Sequence, residues 1–269
     1  MSRAIRYLIK FAALLTFGAL FFIIAYILIR GVPHITPSLF EWKYSSENVS
    51  LLPSLITTLY MVFLTLLIAT PIGIFTGFYL VEYANQDNKF IELIRISTET
   101  LSGIPSIVYG LFGMILFVIR LEFSYSLIAG VLTASIMILP LIIRTTEVAL
   151  ISVDDMFREA SYGLGAGKLR TIFRVVLPVA MPGILSGIIL SIGRIIGETA
   201  ALIFTLGTAT KLPDSIFASG RTLAVHMYVL SNEGLHVNET YATAVILLVI
   251  VLLLNGFSTF LTSKLTKGE

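Results

Sequence analysis

EASYGLGAGKLRTIFRVVLP, residues 159–178, is a polar, basic, glycine-rich stretch set between two long apolar runs. It places Glu159, Ala160 and Ser161 together, then Gly165 after three residues. Nine residues later come Val175, Leu177 and Pro178. Just upstream, Ser152 and Asp155 have capping-box spacing, which predicts a short helix starting there. On that helix Phe157, Ala160, Ser161 and Leu164 fall on one side, a small and mostly apolar face suited to a shallow groove on another protein. Gly163, Gly165 and Gly167 then end the helix and permit a sharp turn. Beyond the turn, Leu169, Ile172, Phe173 and Val176 recur at helical spacing, with Lys168, Arg170 and Arg174 on the other side. That pattern predicts a basic helix lying on a membrane surface, stopped by Pro178. The tetrapeptide GAGK at 165–168 imitates a phosphate-binding P-loop, but the full signature needs Gly at 162 and Ser or Thr at 169. The chain has Tyr162 and Leu169 there, and no buried strand precedes them, which argues against nucleotide binding by this chain.

The rest of the chain sets the context for that loop. Of 269 residues, 57% are hydrophobic and 13% charged, and the mean hydropathy is +0.95. A soluble domain carries about twice that charge fraction. The composition therefore predicts an all-α, polytopic membrane protein. Six spans of roughly 20 residues or more are expected, over 5–29, 54–81, 98–119, 124–150, 182–206 and 241–261. The first is read as a retained transmembrane helix, because it is longer than a signal-peptide core and no small-residue cleavage site follows. Two parts are expected. Residues 1–53 form an N-terminal helix and outer loop, and 54–269 form a transmembrane domain carrying a cytoplasmic loop at 152–178. There is no cysteine, hence no disulfide or thiolate metal site. His34, His226 and His236 are scattered and read as loop or interface residues.

Loop charge sets the expected orientation. Arg3, Arg6, Lys10, Lys89, Arg95, Arg144, Arg158, Lys168, Arg170, Arg174, Lys264 and Lys267 fall on one side; Arg30, Lys43, Arg120, Lys211 and Arg221 fall on the other. The richer side is cytoplasmic, which puts both termini and the 159–178 loop there. Of the outer segments, 31–53 holds the only tryptophan, Trp42, an expected interfacial anchor. The segment 207–240 is apolar enough to pack back as a re-entrant or interfacial helix. Gly73 with Gly77, Gly183 with Gly187 and Gly193 with Gly197 are small-xxx-small pairs that let helices approach closely. Pro71, Pro105 and Pro140 are expected to kink or break their spans.

One span carries charge. Arg194 and Glu198 lie four residues apart in GRIIGETA, at 193–200, and would share one face of a continuous helix. Ionisable groups inside a span cost about 2.5–3.5 kcal/mol each on insertion scales, so they mark either a helix-stabilising ion pair or a polar path. In the second reading Arg194 receives an oxyanion through its planar fork. Glu198 orients the anion, and Thr199 and Thr205 add hydroxyl donors.

The 159–178 pattern resembles the EAA loop of ABC importer permeases, EAA-x3-G-x9-I-x-L-P, with Ser161 in place of the second Ala and Val175 in place of Ile. In that family the loop docks on the ATPase, so the resemblance implies docking roles for Phe157, Glu159, Ala160, Ser161, Leu164, Gly165, Leu177 and Pro178. The segment 193–200 is similar to the corresponding segment of phosphate-specific importer permeases. Its continuation through Gly207 resembles the PstA-type subunit more than its PstC-type partner. Residues 103–110, GIPSIVYG, also resemble a family element. The resemblance covers roughly 54–261 and implies the type I importer architecture, with transport roles for Arg194 and Glu198. It implies a PstC-type second permease, a PstB-type ATPase dimer that binds ATP and Mg, and an external PstS-type phosphate-binding protein. The chain itself is expected to hold no cofactor or metal, to catalyse no covalent chemistry, and to contact lipid but not nucleic acid. The rival readings are a permease for another oxyanion, such as sulfate or molybdate, and an ATPase-independent secondary carrier. The EAA-like loop speaks against the carrier, as does the absence of paired interrupted helices in two halves. A membrane enzyme lacks any nucleophile–base or metal constellation.

Overall fold

The computed structural model describes residues 3–85 and 88–266; Lys267 of the basic set lies outside them. The described residues form helices joined by turns: α1 (Arg3–Gly31), α2 (Leu52–Phe78), α3 (Lys89–Ser102), α4 (Ser106–Gly113), α5 (Leu127–Ile151), α6 (Asp155–Gly163), α7 (Lys168–Thr171), α8 (Leu177–Gly197), α9 (Ala200–Thr205), α10 (Leu223–Glu233) and α11 (Val237–Thr266). Five continuous helical stretches among them are long and apolar enough to cross a membrane, and the bent pair α3 with Ser106–Arg120 makes a sixth when counted as one span.

α5 is the central helix. Fifteen of its residues are buried, among them Met137, Ile138 and Ile142 in the main core. α2 packs on one side of it and α8 on another. Two of the three glycine pairs explain how they come so close. A Cβ on Gly73 would lie 2.6 Å from Ile142, one on Gly77 2.7 Å from Thr146, and one on Gly183 2.7 Å from Ala149. Lipid cannot drive helices together by the hydrophobic effect, so close backbone packing supplies the attraction. The third pair differs: nothing lies within 4 Å of a Cβ on Gly193 or Gly197, so it packs against nothing in this chain. α1 stands at the periphery against α11, with Phe17 and Phe21 exposed as a lipid-facing surface requires.

The third expected span is not one helix. α3 and the helical stretch Ser106–Arg120 meet at 103°. Pro105 is the cause. It disfavours helical backbone at the preceding residue, and itself takes an extended conformation (ψ 141) as the cap of α4. Tyr109 restores a link across the break by donating its hydroxyl to Leu101 O at 2.7 Å. Pro71 and Pro140, by contrast, sit inside continuous helices. At the opposite end of the bundle from α6, the 207–240 segment folds back as expected, with α10 wedged against α2, α8, α9 and α11. This places His226, read as a loop or interface residue, inside the packed bundle. It is 0% exposed, beside the buried Arg221 and edge-on to the Tyr44 ring.

Candidate functional site

α6 forms where the loop predicts a short helix, but its cap is two residues later than the spacing suggests. Asp154 accepts the Met156 N–H at 2.9 Å. Ser152 is still in helical backbone and donates its hydroxyl back to Ala149 O at 2.7 Å. Only Asp154 has the extended ψ, 135°, that frees a cap side chain to reach forward. Phe157, Glu159, Ala160 and Leu164 are exposed, and Leu164 reaches 90%. Ser161 is not on that face. It is buried and shares a 2.8 Å hydrogen bond with the Thr171 hydroxyl, which pins α6 to the next segment. Gly165 makes the turn at φ +81, a conformation that only glycine adopts cheaply.

The second part of the loop departs from the expected surface helix. Helix runs without interruption from Lys168 to Gly197, through a π-helical turn at Ile172–Val176. Pro178 is exposed and Leu177 half-buried at the start of α8. The wider turn just before Pro178 takes up the missing N–H and the ring's clash with the preceding carbonyl, so the proline does not stop the helix. The apolar face is split as a result. Ile172 and Val176 are buried with Thr171, whereas Leu169 and Phe173 are exposed, Phe173 stacking on Phe78. Lys168 Nζ lies 4.5 Å from the centre of the Tyr83 ring.

At the far end of this helix the expected Arg194–Glu198 pair does not form. α8 ends at Gly197, and Glu198 turns to extended backbone (ψ 128). Its carboxylate accepts the Ala201 N–H at 3.1 Å and holds the start of α9. No ion pair joins it to Arg194 among the described residues. The helix break puts the two side chains on different elements, so the four-residue spacing no longer places them on one face. Arg194 is half-buried and lines a groove of about 410 Å³ with Leu141, Leu190, Gly193 and Asn255. Thr199 opens instead into a separate apolar cavity of about 550 Å³ beside Ile107 and Tyr241. Thr205 is buried and spends its hydroxyl on Ala201 O.

The groove holds residues that sequence reasoning missed. At Leu190 it meets a second groove of about 370 Å³ along α5 and α8, lined by Arg144, Thr145, Ser152 and Ser186. Arg144, counted among the cytoplasmic charges at the end of the 124–150 span, projects from α5 with its side chain largely exposed, 3.7 Å from Glu147. The i, i+3 pairing of Arg144 with Glu147 inside an apolar run was the available signal. The result is a mostly apolar groove, with Arg194 and Asn255 in one part and Arg144, Thr145, Ser152 and Ser186 in the other, running from Arg194 towards the α6 end of the bundle.

A family described as binding-protein-dependent transport system inner membrane component matches residues 69–267, which include α6, the continuous helix and Arg194. The chain belongs to this family. This permease is 36% identical over 226 residues to the probable ABC transporter permease protein YqgI of Bacillus subtilis, covering 78% of this chain and 76% of the relative. It is 35% identical over 208 residues to the phosphate transport system permease protein PstA of Mycobacterium leprae, at 75% and 68% coverage. It is 32% identical over 233 residues to PstA of Haemophilus influenzae, at 85% and 82% coverage. Among solved structures, a chain of the MetNI methionine ABC transporter, inward facing, superposes with a TM-score of 0.64 at 19% identity, covering 79% of the permease and 93% of that chain. A chain of a bacterial transporter involved in import of the polysaccharide alginate gives 0.61 at 15% identity, with 96% and 99% coverage. Those two likenesses concern the fold, which is the type I importer architecture. The permease is therefore a multi-pass membrane subunit of an ABC transporter.

Proposed function

We propose that this permease is the PstA-type subunit of a phosphate importer, and that it moves inorganic phosphate into the cytoplasm by alternating access. The observation that carries the cargo assignment is Arg194. It is a guanidinium in a membrane-spanning helix, with no carboxylate partner among the described residues, facing a groove that continues past Thr145, Ser186 and Arg144. An unpaired guanidinium at that depth is costly unless an anion or water answers it, and its fork matches an oxyanion. Similarity to relatives named as phosphate permeases selects phosphate among the oxyanions.

In this reading Arg194 receives phosphate. Glu198 shapes the turn that presents Arg194, and Thr199 lines the adjoining cavity. The exposed residues of the loop, Phe157, Glu159, Ala160, Leu164 and Gly165, meet a PstB-type ATPase that holds ATP and Mg. Ser161, Leu177 and Pro178 fix the loop's shape from within and at its junction with α8. A PstC-type permease completes the pathway and a PstS-type protein delivers substrate outside. Both termini lie in the cytoplasm, in keeping with the excess of Lys and Arg on that side. The deciding measurement is uptake of labelled phosphate, sulfate and molybdate by membrane vesicles containing the whole transporter. Phosphate uptake that disappears in Arg194→Gln, with the complex still assembled, is the expected result. Normal phosphate uptake by that variant removes Arg194 from the path, and sulfate or molybdate uptake in place of phosphate overturns the cargo.

A further inference from the structure

α6 has almost no hydrophobic anchorage, since Ser161 is its only buried residue. What holds it is Arg158, whose five N–H groups all find acceptors. Nε and Nη2 donate to Glu82 Oε1 at 3.1 and 2.9 Å. Nη2 also donates to Leu150 O at 3.0 Å, and Nη1 donates to Val153 O at 2.8 Å and to Asp155 Oδ1 at 3.0 Å. The Arg158 side chain is 13% exposed and that of Glu82 6%. One guanidinium therefore joins three elements: α6, the last turn of α5 and the helical extension of α2 at Tyr79–Tyr83. A second arginine continues the tie from the other side of the same cavity. Arg95 of α3 donates to the buried Glu147 of α5 at 3.1 Å and to Leu80 O, two residues before Glu82, at 3.2 Å.

We propose that Arg158 is the positioning residue that converts displacement of α6 into displacement of α2 and α5. This rests on the reading that α6 docks on an ATPase. Without the tie, α6 is a short helix joined to the bundle by a serine–threonine hydrogen bond and two turns, and an ATPase could move it without moving the spans. With the tie, a push on α6 reaches the helix beyond α5, because both charges are desolvated and separating them costs far more than sliding the assembly as one body. Lysine can stand in only in part: its three donors on one nitrogen can pair with Glu82 but cannot serve Leu150 O, Val153 O and Asp155 as well.

The test measures phosphate imported per ATP hydrolysed by the complete transporter in proteoliposomes, for Glu82→Gln, Arg158→Gln, the double variant and Arg158→Lys. Each single Gln variant is expected to co-purify with the ATPase and to keep basal hydrolysis, while import per ATP falls about ten-fold or more. The double variant should fall no further than the worse single, since both break one link. Arg158→Lys should recover part of the ratio, which a purely structural loss measured as assembled complex would not show. An unchanged import-to-hydrolysis ratio in Arg158→Gln overturns the proposal, as does additive loss in the double variant. So does a co-purification failure that tracks the loss, because Arg158 would then only build the docking surface. Failure of the unaltered transporter to import phosphate at the expense of ATP would instead sink the function proposed above and leave the tie's geometry in place.

Discussion

At the scale of single residues, two buried groups on opposite ends of the bundle make opposite demands. Ser161 stands where the importer pattern has alanine, and its hydroxyl meets that of Thr171. Ser161→Ala should remove one hydrogen bond and leave Thr171 unpaired, at a cost of about 1 kcal/mol. A thermal melt of the purified permease in detergent should fall by about 2–4 °C with transport intact. His226 is the second group. Burial first, and then the Arg221 charge, push its pKa down to about 3. The native ring stays neutral to that pH, whereas in the unfolded chain it titrates near 6.5. Above pH 6.5 the residue contributes no pH dependence. As pH falls from 6.5 towards 3, only the unfolded state takes up the proton, so stability declines by about 1.4 kcal/mol per pH unit from this group. His226→Phe should flatten that part of a melting-temperature profile between pH 7 and 5. An equally steep profile in the variant would assign the acid sensitivity elsewhere.

At the scale of elements, the loop and the glycine pairs give contrasting expectations. Gly165 turns the chain at φ +81 with open space around it. Gly165→Val therefore acts through backbone strain, costing roughly 1–2 kcal/mol at the turn. It should weaken co-purification of the ATPase more than it lowers the stability of the permease. Gly183 and Gly193 separate the two uses of small residues on one helix. A side chain at Gly183 runs into Ala149 of α5, while one at Gly193 meets nothing in this chain. Gly183→Leu should reduce folded protein recovered from membranes, and Gly193→Ala should not. If Gly193→Ala nevertheless breaks assembly of the transporter, the open face of α8 is a contact between permeases.

For the molecule as a whole, the orientation and the energy source are checked together. Import should require internal ATP and an external binding protein, and tags at both termini should be reached by protease only from the cytoplasmic side. Import persisting in vesicles without ATP, driven by an ion gradient, would return the chain to the class of secondary carriers. The groove from Arg194 to Ser152 is open to the outside of this chain, so the proposed pathway needs a second permease to close it.

Much of this was legible in the order of residues, because the physics involved is local or nearly so. Apolar runs longer than a bilayer's thickness specify spans, charge bias between loops specifies an expected side, and the glycine cluster at 163–167 marks the end of α6, where Gly165 takes a positive φ. What local pattern could not settle was the outcome of competition between neighbours. Pro178 and Pro105 are the same residue type, yet one is absorbed by a π turn and the other breaks the chain by 103°. Glu198 had two possible partners, Arg194 in an unbroken helix or the Ala201 N–H after a break, and the fold selects the second. Arg158 and Glu82 lie 76 positions apart, so nothing in the sequence links them; only the packing of α6 under the ends of α2 and α5 brings the charges together. The sequence by itself determined a helical, multi-pass membrane protein with a short helix and glycine turn in the 152–178 loop. The tertiary structure decided which charges meet, because that depends on which helix ends the packed core brings within a hydrogen bond of each other.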